Sequence, residues 1–206
     1  MPIEQIAALG IGGSPRRAGN SELLLDQFLS GAESAGAEVA KVLAARLKIA
    51  GCIECDRCWT DGRCVVQDEF QDLYERLIAA DVIVLATPVF FAGLPAQLKA
   101  VIDRSQCQWA RKFKLKAPLA ATPAGHSRRR GVLLAVGGDA REDFSGTIQT
   151  AKRFFDVQEA DFWGRLLYAG VDAKNEILDH PTAMQEAYDL GVRAATDKTW
   201  KRQRRE

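Results

Sequence analysis

Two rhythms of apolar residues alternate along the chain: short unbroken runs, and stretches with the three-and-four spacing of a helix face. Ile3–Ile11 is a mostly apolar run broken by Gly12-Gly13-Ser14-Pro15, which predicts a buried strand ending in a turn. Asn20 and Ser21 are good helix starters. Leu23, Leu24, Phe28 and Leu29 form one apolar face behind them, and Gly36 ends the helix. Glu38–Leu43 predicts a second, weaker strand, followed by a polar loop rich in cysteine. Asp68 opens a helix in which Phe70, Leu73, Tyr74, Leu77 and Ile78 share a face. Val82–Ala86 is unbroken and apolar, as strands buried on both faces of a parallel sheet are. Pro95 suits the first turn of a helix carried on by Leu98, Val101 and Ile102. A polar, basic, proline-containing insertion is expected over 111–130. Beyond it come a strand at Val132–Val136 ended by Gly137-Gly138-Asp139, a helix around Thr147–Phe155, a strand near Asp161–Tyr168 and a helix around Pro181–Thr196. Lys201–Glu206 reads as a solvated basic tail.

Five strand–helix repeats without a break in composition predict one α/β domain over residues 1–200, a parallel sheet covered on both faces. Right-handed crossovers leave few topologies. Five strands favour the flavodoxin-like three-layer sandwich of order 2-1-3-4-5, with a ligand at the carboxyl edge between strands 1 and 3.

Composition narrows the function. The chain has 206 residues, 47% hydrophobic and 27% charged, the balance of a soluble globule. A formal net charge of +1 argues against a dedicated nucleic-acid binder. No apolar stretch has the ~18 residues of a membrane span, and Glu4 stands where a secretory signal would carry Lys or Arg. The expected location is the cytoplasm, where disulfides are disfavoured.

The first loop, Gly12–Ser21, is neither a Walker loop nor a Gly-x-Gly-x-x-Gly fingerprint. It does offer backbone N–H groups at a helix N-terminus, the hydroxyls of Ser14 and Ser21, the Asn20 amide and the Arg16 guanidinium, which suit one terminal phosphate. The plain alternative is a tight turn before a capped helix. The loop after strand 3, Thr87–Pro95, is stiffened by Pro88 and Pro95 and given close backbone approach by Gly93. With Val89, Phe90 and Phe91 it offers the apolar faces and backbone polar groups that a flavin ring needs. For Phe91 a core or subunit contact is an equal reading. Gly137 and Gly138 add free backbone donors on the same edge.

Four of the five cysteines, Cys52, Cys55, Cys58 and Cys64, follow C-x2-C-x2-C-x5-C spacing. Three cysteines at two-residue intervals match the run that ligates a [4Fe–4S] cluster. Structural zinc prefers two separated pairs. Free or redox-active thiols and zinc are the alternatives. Trp59 reads as a screen for the cluster or a cap on the core. The lone Cys107 reads as a buried hydrophobe. Neither His126 nor His180 stands out as a general base, so no catalytic side chain is assigned; flavin chemistry needs little beyond position and electrostatics. The cysteine loop follows strand 2, so it is expected to start on the same sheet edge as the flavin loops.

Gly13-Ser14-Pro15-Arg16 with Asn20, the four-cysteine loop, Asp81–Ala86 with Pro88-Val89, and Pro95–Ala100 through Asp103-Arg104 together resemble the iron–sulfur flavoproteins of the NADPH-dependent FMN reductase superfamily. The likeness extends from residue 3 to about residue 155. It implies FMN and one [4Fe–4S] cluster per subunit in homodimers or homotetramers. Ser14, Arg16, Asn20 and Ser21 would hold the phosphate, and Pro88, Val89, Phe90, Gly93 and Gly137-Gly138 would line the ring. The donor would be ferredoxin or NAD(P)H, and the acceptor a quinone or an oxygen species. Phe90 departs from a position that is often Tyr, and the 116–130 insertion is longer than the family pattern. A cluster-free FMN-dependent NAD(P)H:quinone or flavin reductase is the alternative. A third reading is a binding module whose Arg128-Arg129-Arg130 run and basic tail attract an acidic partner.

Overall fold

The computed structural model describes residues 5–119, 121, 125 and 129–197. His126, Arg128 and the Lys201–Glu206 tail lie outside the described residues. Five strands, β1 (Ala7–Gly12), β2 (Glu38–Leu43), β3 (Val82–Pro88), β4 (Arg129–Gly137) and β5 (Ala160–Ala169), form one sheet in the order β2-β1-β3-β4-β5. Every pairing is parallel, with Gly10 beside Lys41 and Val84, and Val84 beside Val132. The order is the one the sequence predicts.

Alternation along the strands builds two cores. Ile83, Leu85, Leu133 and Ala135 face one side, where they meet α2 (Phe70–Ala79), α3 (Ala96–Arg104) and α5 (Ser145–Val157) through Leu77, Val101 and Phe155. Val82, Val84, Val132 and Leu134 face the other side. There they meet α1 (Asn20–Ser34) and α6 (Ala183–Thr196) through Leu25, Phe28, Ala187 and Leu190. Burial of both faces is why β3 reads as an unbroken apolar run. A Cβ on Gly31 would stand 2.0 Å from the Tyr188 carbonyl oxygen, so α1 and α6 meet at backbone distance there.

Two expectations are corrected here. The insertion expected over 111–130 begins inside helical structure: α4 (Gln106–Trp109) runs into a π-helical turn at Ala110–Lys114, and Lys112 pairs with Asp156 at 3.0 Å. Arg129 and Arg130 are not a solvated patch, because both are buried in β4. Arg129 Nη2 donates to the Ile78 carbonyl at 2.6 Å, and Arg130 donates to the carbonyls of Ala194 and Asp197. These are carbonyls in and just past the last turns of α2 and α6, where unpaired acceptors and the helix dipole favour a cation. An acidic partner therefore has no access to these two arginines.

Candidate functional site

The carboxyl ends of β1 and β3 frame an open cavity. Gly13 N–H pairs with the Ala86 carbonyl at 2.7 Å, so the first loop leaves the sheet pinned to β3. Ser14 Oγ then accepts the Arg16 N–H at 3.1 Å and closes a tight turn. A Cβ on Gly19 would stand 2.8 Å from Ser14 Oγ, which makes glycine the residue that lets this loop close. Gly19 is also the N-cap of α1 and supplies no side-chain cap, so the first N–H groups of the helix lack a side-chain acceptor. Ser21, in that first turn, is 1% exposed, and its Oγ has no hydrogen-bond partner. A buried hydroxyl without a partner beside an uncapped helix N-terminus is the arrangement an anion completes.

Arg16 and Asn20 anchor this loop to the segment after β5. Arg16 Nη1 donates to the Asp172 carbonyl at 2.9 Å, and Asn20 Nδ2 donates to that of Ala173 at 2.8 Å. Asp172 and Val171 consequently line the cavity, together with Pro15, Gly19 and Val136. Sequence reasoning missed Val136, Val171 and Asp172. The signal for Val171 lies in register: its N–H pairs with the Gly137 carbonyl at 2.9 Å, folding the β5 exit back over β4.

Of the expected residues, Ser14, Arg16, Asn20, Ser21, Pro88, Val89, Phe90 and Gly138 come together in the cavity wall. Phe91, Gly93 and Gly137 stand outside it. Phe90 and Gly93 exchange backbone hydrogen bonds of 3.0 and 2.9 Å, closing a two-residue turn at Phe91 and Ala92. Both turn residues have positive φ, 49° and 58°, and the Phe91 ring is fully exposed. Gly137 is packed against Glu142, whose Cγ would stand 2.4 Å from an added Cβ.

A second, smaller cavity gathers Cys52, Cys55, Cys58 and Cys64 with Cys107, Arg104 and Gln106. All five cysteines are free thiols. Glu54 and Asp56 take positive φ on either side of Cys55, which coils the chain so that neighbouring cysteines share the cavity. Gln71 Nε2 holds the carbonyls of Cys64 and Val66 at 2.9 and 2.7 Å, and Tyr74 Oη donates to the Gly62 carbonyl at 3.2 Å. Cys52 and Cys55 are exposed, whereas Cys58 and Cys64 pack against the core. Burial pushes the Cys107 thiol up to about 12, with help from Cys64 and Cys58. Burial likewise raises Cys58. Trp59 is outside the cavity wall, 41% exposed, and lies under Lys114 Nζ at 4.1 Å from its ring centre.

Below the thiols sits Arg104, 1% exposed, in a bidentate pair with Asp68 at 2.6 and 3.0 Å. Burial alone would raise the Asp68 carboxyl. The Arg104 guanidinium and the N–H groups of Ala50 and Phe70 outweigh it and hold the carboxyl below its ordinary range. Among the described residues no group of three or more His, Cys, Asp or Glu side chains is placed to hold a metal ion. The four thiols thus share a cavity, not a point. The two cavities have no wall residue in common, and α3, nine residues or roughly 13 Å long, runs from the flavin-side loop to the cysteine cavity. Leu43 at the carboxyl end of β2 pairs with Gly12 at that of β1, so the cysteine loop starts on the expected sheet edge and then leads to a separate cavity.

His180 Nδ1 accepts the Ala183 N–H at 3.2 Å at the start of α6, and its ring meets Tyr168, a structural placement. Among the described residues no helix is long and apolar enough to cross a membrane.

The sheet order and the cavity at its carboxyl edge define a flavodoxin-like protein. Residues 6–155 match the NADPH-dependent FMN reductase family, and the chain belongs to it as an FMN-dependent oxidoreductase. An iron–sulfur flavoprotein of Methanosarcina thermophila is 38% identical over 141 residues, covering 68% of this chain and 68% of that one. Another, of Archaeoglobus fulgidus, is 37% identical over 182 residues, covering 82% of this chain and 88% of that one. Among solved structures, an azoreductase of Bacillus anthracis superposes with a TM-score of 0.67 at 15% identity. It covers 92% of this chain and 100% of that one, a likeness of fold.

Proposed function

We propose that this chain is an iron–sulfur flavoprotein in which FMN and a [4Fe–4S] cluster exchange electrons. The observation that carries the reading is the gathering of all four spaced cysteines, as free thiols, in the wall of one cavity. A cubane cluster takes one thiolate per iron, so its ligands surround a volume. Tetrahedral zinc instead requires all four sulfurs about 2.3 Å from a single point. The cavity suits the first donor geometry better.

In the other cavity, Ser21 Oγ, Ser14, Arg16 and the first N–H groups of α1 would hold the FMN phosphate. Pro88, Val89, Phe90 and Gly138 would flank the ring, with Val136, Val171 and Asp172 completing the wall. Phe91, Gly93 and Gly137 would act on the ring through the shape of their loops. The flavin supplies acceptance of an electron pair, and the cluster supplies single-electron steps. The chain's own part is to bind, orient and exclude water. NAD(P)H or ferredoxin is the proposed donor and a quinone or oxygen species the proposed acceptor, in a cytoplasmic homodimer or homotetramer.

Anaerobic purification followed by flavin, iron and acid-labile sulfide assays tests the reading. About one FMN with four irons and four sulfides per chain is expected, and Cys55→Ala should lose the iron while retaining FMN. One FMN without iron or sulfide would replace the reading with a cluster-free NAD(P)H:acceptor reductase.

A further inference from the structure

We propose that Arg104 is the positioning residue of the cysteine site: its fork latches both ends of the cysteine loop, and its buried positive charge favours the reduced form of a thiolate-ligated centre. The inference rests on the cluster reading above.

The latch is visible in four hydrogen bonds. Arg104 Nη1 donates to the Ala50 carbonyl at 3.0 Å, two residues before Cys52, and to Asp68 Oδ2 at 2.6 Å. Nη2 donates to the Val66 carbonyl at 3.2 Å, two residues after Cys64, and to Asp68 Oδ1 at 3.0 Å. Asp68 Oδ2 also accepts the Ala50 N–H at 3.1 Å. One ion pair at the end of α3 thus fixes the entry and exit of the whole loop. A planar guanidinium can reach two carbonyls and a carboxylate at once; an ammonium cannot match that fork.

The charge has a separate sign. Arg104 lines the cysteine cavity, and its Nε is buried without a hydrogen-bond partner. Every other polar atom of the guanidinium is engaged, and the sulfur of Cys64 is the neighbour already interacting with this cation, so Nε is the donor left for a thiolate or sulfide sulfur in this cavity. Net charge and hydrogen bonds to the sulfurs are among the levers that set cluster potentials. Reduction adds one electron from a reduced flavin or another reduced donor. No bond forms or breaks, and the centre becomes more negative by one charge. A buried cation stabilises that product more than its precursor, and the carboxylate of Asp68 partly offsets the cation.

The test measures the midpoint potential of the one-electron cluster step in anaerobic holoprotein, with iron and sulfide counted on the same samples. In Arg104→Gln the cluster content should fall. At a fixed potential the reduced-to-oxidised ratio should drop at least tenfold, a midpoint lower by about 59 mV. In Asp68→Asn the midpoint should move the opposite way, because the cation loses its counter-charge. Mere loosening of the loop would shift both variants in one direction. If Arg104→Gln folds but holds no iron, the latch is supported and the sign in Asp68→Asn decides the charge. If Arg104→Gln does not fold, Asp68→Asn decides alone. An unchanged or lower midpoint in Asp68→Asn, or an unchanged or higher one in Arg104→Gln, overturns the inference and leaves the proposed function standing. Wild-type protein without iron and sulfide overturns both.

Discussion

Substituting Ser21 by Ala should strengthen the flavin-free protein and weaken its hold on FMN. The Ser21 hydroxyl is buried in the first turn of α1 with no partner. An unsatisfied buried polar group costs about 1–3 kcal/mol, and removing it returns part of that cost. For a chain of this size each kcal/mol raises Tm by roughly 2–4 °C, so the flavin-free variant should melt several degrees higher. With the phosphate bound, the same hydroxyl would donate to an anion, a hydrogen bond worth about 1.5–3 kcal/mol. Its loss corresponds to a roughly 10- to 150-fold weaker Kd, at about 1.4 kcal/mol per factor of ten. Thermal unfolding of flavin-stripped protein reads the first effect, and FMN fluorescence quenching reads the second. A flavin-free variant that melts lower, with FMN affinity within about twofold of wild type, would refute the assignment of Ser21 to the phosphate.

Further predictions concern thiols, packing and acid. In metal-free protein at pH 8, iodoacetamide should label the exposed Cys52 and Cys55 first and leave Cys107, whose thiol is pushed up to about 12, unlabelled by peptide mapping. Gly31→Ala should destabilise by about 1–3 kcal/mol, because the new Cβ meets the Tyr188 backbone carbonyl and α1 must part from α6; a lower denaturation midpoint with unchanged FMN affinity would show it. The Asp68 carboxyl is held low in the folded protein, so its contribution is complete above its unfolded value near pH 4 and is lost as pH falls through the lower folded one. Metal-free wild type should therefore lose stability relative to Asp68→Asn over that acidic window, as thermal melts at successive pH values would record.

Most of the fold is legible in the sequence because strands buried on both faces leave unbroken apolar runs. Val82–Ala86 and Val132–Val136 announce the centre of the sheet directly. The misreadings have a common physical cause, polar side chains satisfied by partners distant in sequence. Arg129 and Arg130 read as an exposed basic run because the carbonyls that receive them, at Ile78 and Ala194, lie on helices distant in sequence. The helical turns around α4 were obscured by Gln108, a polar residue at a buried position, paired with Gln158 at 2.8 Å. In the first cavity Ser14, Arg16, Asn20 and Ser21 were readable from loop chemistry. Asp172 was not, since only the fold-back of the β5 exit brings it there. Arg104 and Asp68 read as a motif end and a helix opener; the link between them, across 36 positions, exists only in three dimensions.

Counting electrons tests the central claim most directly. An anaerobic titration with dithionite, followed by absorbance, should consume about three electrons per chain, two for the flavin and one for the cluster. Bleaching beyond the flavin bands should accompany the third. An endpoint at two electrons, with flavin bleaching alone, would contradict the account.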